Sequence, residues 1–101
     1  MIIVEGNIYV IETGSLRPVV VELITDEGIT GIGEGAVGFG IGCNASAAMA
    51  SELTENYLIG KDPANITALW NDFYYDTFWG KGAGAIFYSA VSALEMALTG
   101  E

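Results

Sequence analysis

The stretch that decides the fold is Val19-Val-Val-Glu-Leu-Ile-Thr-Asp-Glu-Gly-Ile-Thr-Gly-Ile-Gly-Glu-Gly35. Two apolar, β-branched runs flank Asp26-Glu27-Gly28. In the first run Val19, Val21 and Leu23 fall on one side and Val20, Glu22 and Ile24 on the other, the period of a strand. A three-residue connection ending in Gly suits a hairpin whose glycine takes the left-handed conformation. The pattern predicts antiparallel strands over Val19–Thr25 and Ile29–Val37. Gly31, Gly33 and Gly35 recur at every second position, so one face of the second strand is bare and open to close approach by another backbone.

Before the hairpin, Ile2–Thr13 reads as a first strand, and Gly14-Ser15-Leu16-Arg17-Pro18 as the loop that Pro18 closes. After it, Gly38-Phe39-Gly40-Ile41-Gly42 is either a flexible connection or a lid with two apolar tips. A helix is expected from about Ala45, with Asn44 as its cap and Ala45, Met49, Leu53 and Tyr57 on one face. Gly60 is a stop. Asp62-Pro63 opens the next helix, although Asn65 is an alternative cap. Its stripe is Ile66, Leu69, Trp70, Phe73 and Thr77, and it ends near Phe78-Trp79-Gly80. The last helix, Ala85 to Leu98, is apolar except for Ser89, Ser92 and Glu95. A helix so apolar needs cover nearly all round. The expectation is that part of that cover, and of the cover for the bare strand, comes from outside the chain.

The fold class is therefore α+β, a three-stranded antiparallel sheet followed by about three helices. At 101 residues the chain makes one domain, burying about two-thirds of the surface its unfolded form exposes. Hydrophobic residues make up 51% and mean hydropathy is +0.45. No apolar run approaches the roughly 20 residues of a membrane span, and the N-terminus lacks a basic region and cleavage site. A cytoplasmic protein is expected. Net charge is -10, with only Arg17, Lys61 and Lys81 as bases, which argues against nucleic acid. A single cysteine, Cys43, and no histidine exclude an internal disulfide, Cys/His zinc sites and any His-activated nucleophile.

Gly40-Ile41-Gly42-Cys43-Asn44-Ala45 fits a dinucleotide fingerprint by spelling, with Asp62 at a suitable distance. The fingerprint needs a parallel βαβ unit, and here the preceding strand belongs to an antiparallel hairpin. Glu34 reads as a hydrogen-bonded structural acid, and Asp72 with Asp76 as a solvated pair on one helix face. Trp79 is a core anchor or a pocket wall.

The hairpin, together with Leu58-Ile59-Gly60-Lys61-Asp62-Pro63, Leu69-Trp70, Thr77-Phe78-Trp79 and Ser89-Ala-Val-Ser-Ala-Leu-Glu-Met-Ala-Leu98, resembles the N-terminal capping domain of the enolase superfamily. The mandelate racemase and muconate lactonizing enzyme branch is the most similar. The resemblance covers nearly the whole chain in order. It departs at Thr99-Gly100, where the family usually shows Trp-Asp. It implies a cap followed by a barrel, absent from this sequence, that supplies Mg²⁺ carboxylates and the acid/base groups for removing a proton α to a carboxylate. This chain is then expected to hold no catalytic or metal residue and no cofactor. Its partners would be the C-terminal barrel or a second copy, with a small carboxylate as substrate. The implied parent is a sugar-acid dehydratase, otherwise a racemase or cycloisomerase; the alternative is a stand-alone binding or assembly module. The resemblance favours the lid reading, with Arg17, Phe39, Ile41 and Trp79 facing substrate.

Overall fold

The hairpin forms as its sequence dictates. In the computed structural model, which describes residues 1–11, 18–35, 43–76 and 85–99, β2 spans Val19–Thr25 and β3 spans Thr30–Gly35. Gly28 turns the chain at φ +79°, the left-handed conformation the connection requires. Thr25 N–H donates to the Ile29 carbonyl at 3.0 Å and closes the turn. β1, Ile3–Val10, pairs antiparallel with β2, giving the order β1-β2-β3. Alternation holds as expected in β2: Val19, Val21 and Leu23 are buried, and Val20, Glu22 and Ile24 lie half-buried on the outer face. In β1 a register shift between Ile3 and Glu5 changes the parity. Ile3 and Ile8 therefore both serve the core face although one number is odd and the other even.

The bare face of β3 is covered from within the chain. Helix α3, Ala85–Thr99, lies on it. A methyl group built on Gly33 would run into the Ala93 carbonyl and stand 2.9 Å from the Ala97 nitrogen; one on Gly35 would stand 2.9 Å from Ser89 Oγ. Helix and strand thus touch backbone to backbone, which glycine on one side and alanine on the other permit. This corrects the expectation that the bare strand and the last helix need outside cover. Phe87, Ser89–Val91, Ala93, Leu94, Ala97 and Leu98 are all buried, leaving Tyr88, Ser92, Glu95, Met96 and Thr99 exposed.

Helix α1, Cys43–Leu53, continues into a π-helical turn, Thr54–Leu58. Asn44 lies inside the helix rather than capping it. The buried residues are Cys43, Ser46, Ala50 and Leu53, whereas Ala45 is exposed and Met49 half-buried. Met49 and Tyr57 nevertheless pack against the core beside Leu53, so of the expected stripe only Ala45 departs. A methyl group at Gly6 would collide with the Thr54 side chain, so α1 approaches β1 where small residues allow it. Thr54 Oγ1 donates to the Ala50 carbonyl at 2.8 Å, while Ser46 Oγ is buried without a partner.

The chain then turns at Gly60, φ +87°. Asp62 accepts from Ala64 N–H at 2.9 Å, making a turn rather than a helix cap. Helix α2 is Ile66–Asn71, with Asn65 at the cap position but without a side-chain capping bond. A second π-helical turn covers Asp72–Asp76. Leu69 and Phe73 are core residues, with Ile66 and Trp70 packed at its margin. No described helix is long and apolar enough to cross a membrane.

Candidate functional site

Strand register brings the two long connections to one end of the sheet. Val10 pairs with Val19, and Val19 with Gly35. Segment 12–17 leaves β1 and returns to β2 there, and segment 36–42 leaves β3 there. Neighbouring strands lie about 4.8 Å apart, so these stems stand within roughly 10 Å of one another. Ile11 N–H donates to the Pro18 carbonyl at 3.0 Å and fastens the first pair of stems.

Both long helices start at this end. Ser89, early in α3, faces Gly35, and Ala93 and Ala97 face Gly33, so α3 runs antiparallel to β3. Segment 77–84 therefore joins α3 beside the other stems. Helix α1 begins at Cys43, passes Gly6 with Thr54, and its continuation reaches Ile3, whose carbonyl accepts from Gly60 N–H at 2.8 Å. The positive ends of the α1 and α3 peptide dipoles thus lie at the stem end. Along α2 and the π-helical turn that follows it, Trp70 stacks on Tyr74 at 5.2 Å and Phe73 meets Tyr57 edge-on at 5.9 Å.

The expected substrate-facing residues Arg17, Phe39, Ile41 and Trp79 lie outside the described residues; their anchoring elements are described, and those share one end of the domain. Glu34 lies one residue before the β3 stem. It is exposed, without a hydrogen bond or ion pair among the described residues, not the bonded structural acid expected.

Two other places on the domain are concave or polar. At the opposite, hairpin end a cavity of about 320 Å³ is lined by Met1, Pro63, Ala64, Ile66, Leu98 and Thr99. Apart from the Thr99 hydroxyl, its lining side chains are apolar. On the outer sheet face, Asn7 Nδ2 donates to Glu5 Oε2 at 2.8 Å and to Glu22 Oε1 at 3.0 Å. Tyr9 OH donates to the same Glu22 oxygen at 3.4 Å. The negative charge of Glu22 raises the Tyr9 pKa above 10.0, with smaller contributions from desolvation, the hydrogen bond and Glu5. Sequence reasoning missed this network, although alternation in β1 and β2 already put its members on one face. Among the described residues no group of three or more His, Cys, Asp or Glu converges to hold a metal. A Mg²⁺ site does not fit them.

Comparison with known proteins gives this geometry a setting. The model of the mandelate racemase / muconate lactonizing enzyme N-terminal domain matches residues 8–100. The chain is 40% identical over 74 residues to D-galactonate dehydratase of Xanthomonas campestris pv. campestris, covering 73% of this chain and 18% of that protein. It is 35% identical over 83 residues to D-mannonate dehydratase of Rhizorhabdus wittichii, covering 79% of this chain and 19% of that one. The crystal structure of a protein provisionally designated a dehydratase, from Mesorhizobium loti, superposes with TM-score 0.94 at 48% identity, covering 97% of this chain and 26% of that one. The chain thus spans about a fifth of the curated relatives it matches. With the domain model matching residues 8–100 and the fold shared with solved members of the superfamily, the chain belongs to the mandelate racemase / muconate lactonizing enzyme family of the enolase superfamily, as its N-terminal domain.

Proposed function

We propose that this domain is the substrate-selecting cap of a sugar-acid dehydratase whose chemistry resides in a C-terminal barrel. The observation that carries the reading is the gathering of the stems of 12–17, 36–42 and 77–84 at one end of the sheet. One end of the domain then presents all three connections to a barrel mouth while the opposite end stays remote from it. Similarity to D-galactonate and D-mannonate dehydratases supports the substrate class, a small polyhydroxylated carboxylate. The barrel supplies Mg²⁺ and the groups that move the α-proton. The cap contributes discrimination and water exclusion through Arg17, Phe39, Ile41 and Trp79.

The roles separate experimentally. In the complete enzyme Phe39→Ala should weaken discrimination among sugar acids by about 1–3 kcal/mol, the size of a lost apolar pocket contact. Exchange of the substrate α-proton with solvent should continue, because its base belongs to the barrel. Specificity ratios unchanged in both Phe39→Ala and Ile41→Ala would show that 36–42 only connects elements. Loss of exchange in a folded variant would show that it takes part in the chemistry.

A further inference from the structure

The two edges of the sheet are not alike. At the β1 edge the register shifts between Ile3 and Glu5, and Ile3 is bonded to the following turn through Lys61 and Gly60. Such features protect an edge from pairing with another chain. β3 forms the other edge and, among the described residues, has none of them. It holds no Pro, Lys or Arg and no bulge, and its single charge, Glu34, lies near its end. Ile32, at its middle, is 55% exposed.

The hydrogen-bonding direction of each β3 residue follows from the hairpin. Thr25 N–H bonds to the Ile29 carbonyl, so by alternation Gly31, Gly33 and Gly35 direct their backbone groups toward β2. Thr30, Ile32 and Glu34 then direct theirs away from the sheet. We infer that this edge pairs with the same edge of a second copy, antiparallel about a two-fold axis at Ile32, to give a continuous six-stranded sheet.

The sequence is self-complementary in that register. Ile32 faces Ile32 of the second copy, an apolar cross-strand pair. Thr30 faces Glu34 of the second copy, and the reverse, so each carboxylate meets a hydroxyl. All three outward residues of each strand are used, giving about six hydrogen bonds. Centring on Glu34 would instead oppose two carboxylates. Centring on Gly31 or Gly33 would leave one outward residue of each β3 opposite a position beyond the strand. The contact is isologous, as a closed dimer requires. Each copy carries -10, so repulsion opposes association and salt should relieve it. The pairing does not depend on the capping role and exists in the 101-residue chain itself.

Sedimentation of that chain over a concentration series tests it. The expected result is a reversible dimer that tightens several-fold as ionic strength rises tenfold from about 0.05 M. Ile32→Pro removes an outward N–H and leaves the β2–β3 ladder intact, so it should give a folded monomer. Ile32→Cys tests the register without relying on that variant. Facing Cα atoms would stand about 5.5 Å apart, within disulfide range, so mild oxidation should cross-link Ile32→Cys chains and leave Thr30→Cys chains uncross-linked. A monomer at high micromolar concentration in high salt would overturn the pairing. So would equal cross-linking of the two cysteine variants, or an undiminished dimer in folded Ile32→Pro.

Discussion

Replacing Gly33 by Ala should be the most damaging single-methyl change in this domain. The added carbon would overlap the Ala93 carbonyl and stand 2.9 Å from the Ala97 nitrogen. Both obstacles belong to a helix backbone, so no side-chain rotation relieves them. Helix α3 must lift by about an ångström from a core that includes Val21, Leu23 and Leu94. Overpacking usually costs 1–3 kcal/mol, and a rigid obstacle puts this case at about 3 kcal/mol or more. In a domain of this size each kcal/mol lowers Tm by about 4–8 °C, so a fall of roughly 12–24 °C is expected. Two other glycines calibrate the result. Gly28→Ala meets nothing within 4 Å but must hold φ +79°, and should cost about 1–2 kcal/mol. Gly35→Ala meets Ser89 Oγ, which can rotate, and should cost about 1 kcal/mol. Thermal and urea unfolding by circular dichroism measures all three. If Gly33→Ala lies within 0.5 kcal/mol of the parent, or costs less than Gly28→Ala, the close seating of α3 on β3 is refuted.

Two further changes probe the packing and the outer face. Ser46→Ala removes a buried hydroxyl that has no partner, so stability should rise by about 1 kcal/mol, and a fall in the urea midpoint would reveal a hydrogen bond at Ser46. Tyr9 titrates above its unfolded value because Glu22 is charged beside it. Its contribution to folding is therefore complete below pH 10.0, the ordinary phenol value, and is lost as pH rises through the folded pKa. Glu22→Gln should bring the phenol transition, followed by its ultraviolet absorbance, closer to the ordinary value, and an unmoved transition would show that the Glu22 charge is not the cause.

The hairpin was legible because each of its signals is local. Alternation in Val19–Thr25, the turn at Gly28 and the bare face of β3 are all set by adjacent residues. The covering of that face was misread because hydropathy counts apolar residues and not how closely backbones approach. Ala93 and Ala97 look like weak core residues, yet their small size lets α3 sit directly on glycine. The stripe of α1 was legible at Met49, Leu53 and Tyr57, whereas Ser46 and Thr54 were missed because they are polar by type although buried, Thr54 against Gly6 of β1. No 3.6-residue pattern anticipates the π-helical turn at Thr54–Leu58, although Tyr57 within it still packs against the core. Similarly the register shift in β1 breaks a simple alternation from Ile3 to Val10. For the site, the order of strands and loops was enough to put the long connections at one end, since a three-stranded meander leaves them there. The network of Glu5, Asn7, Tyr9 and Glu22 needed the register, which joins residues as far as 15 positions apart.

The division of labour between cap and barrel is tested most directly by complementation. The 101-residue chain is mixed with the separately produced barrel of the D-galactonate dehydratase relative, and dehydration of D-galactonate is followed with Mg²⁺ present. The account predicts no turnover by the chain alone, because it assigns the base and the Mg²⁺ ligands to the barrel. It predicts turnover, or an increase over the barrel alone, when the two associate. Turnover that tracks the pure 101-residue chain would contradict the account, as would a stable complex of the two that gains no activity.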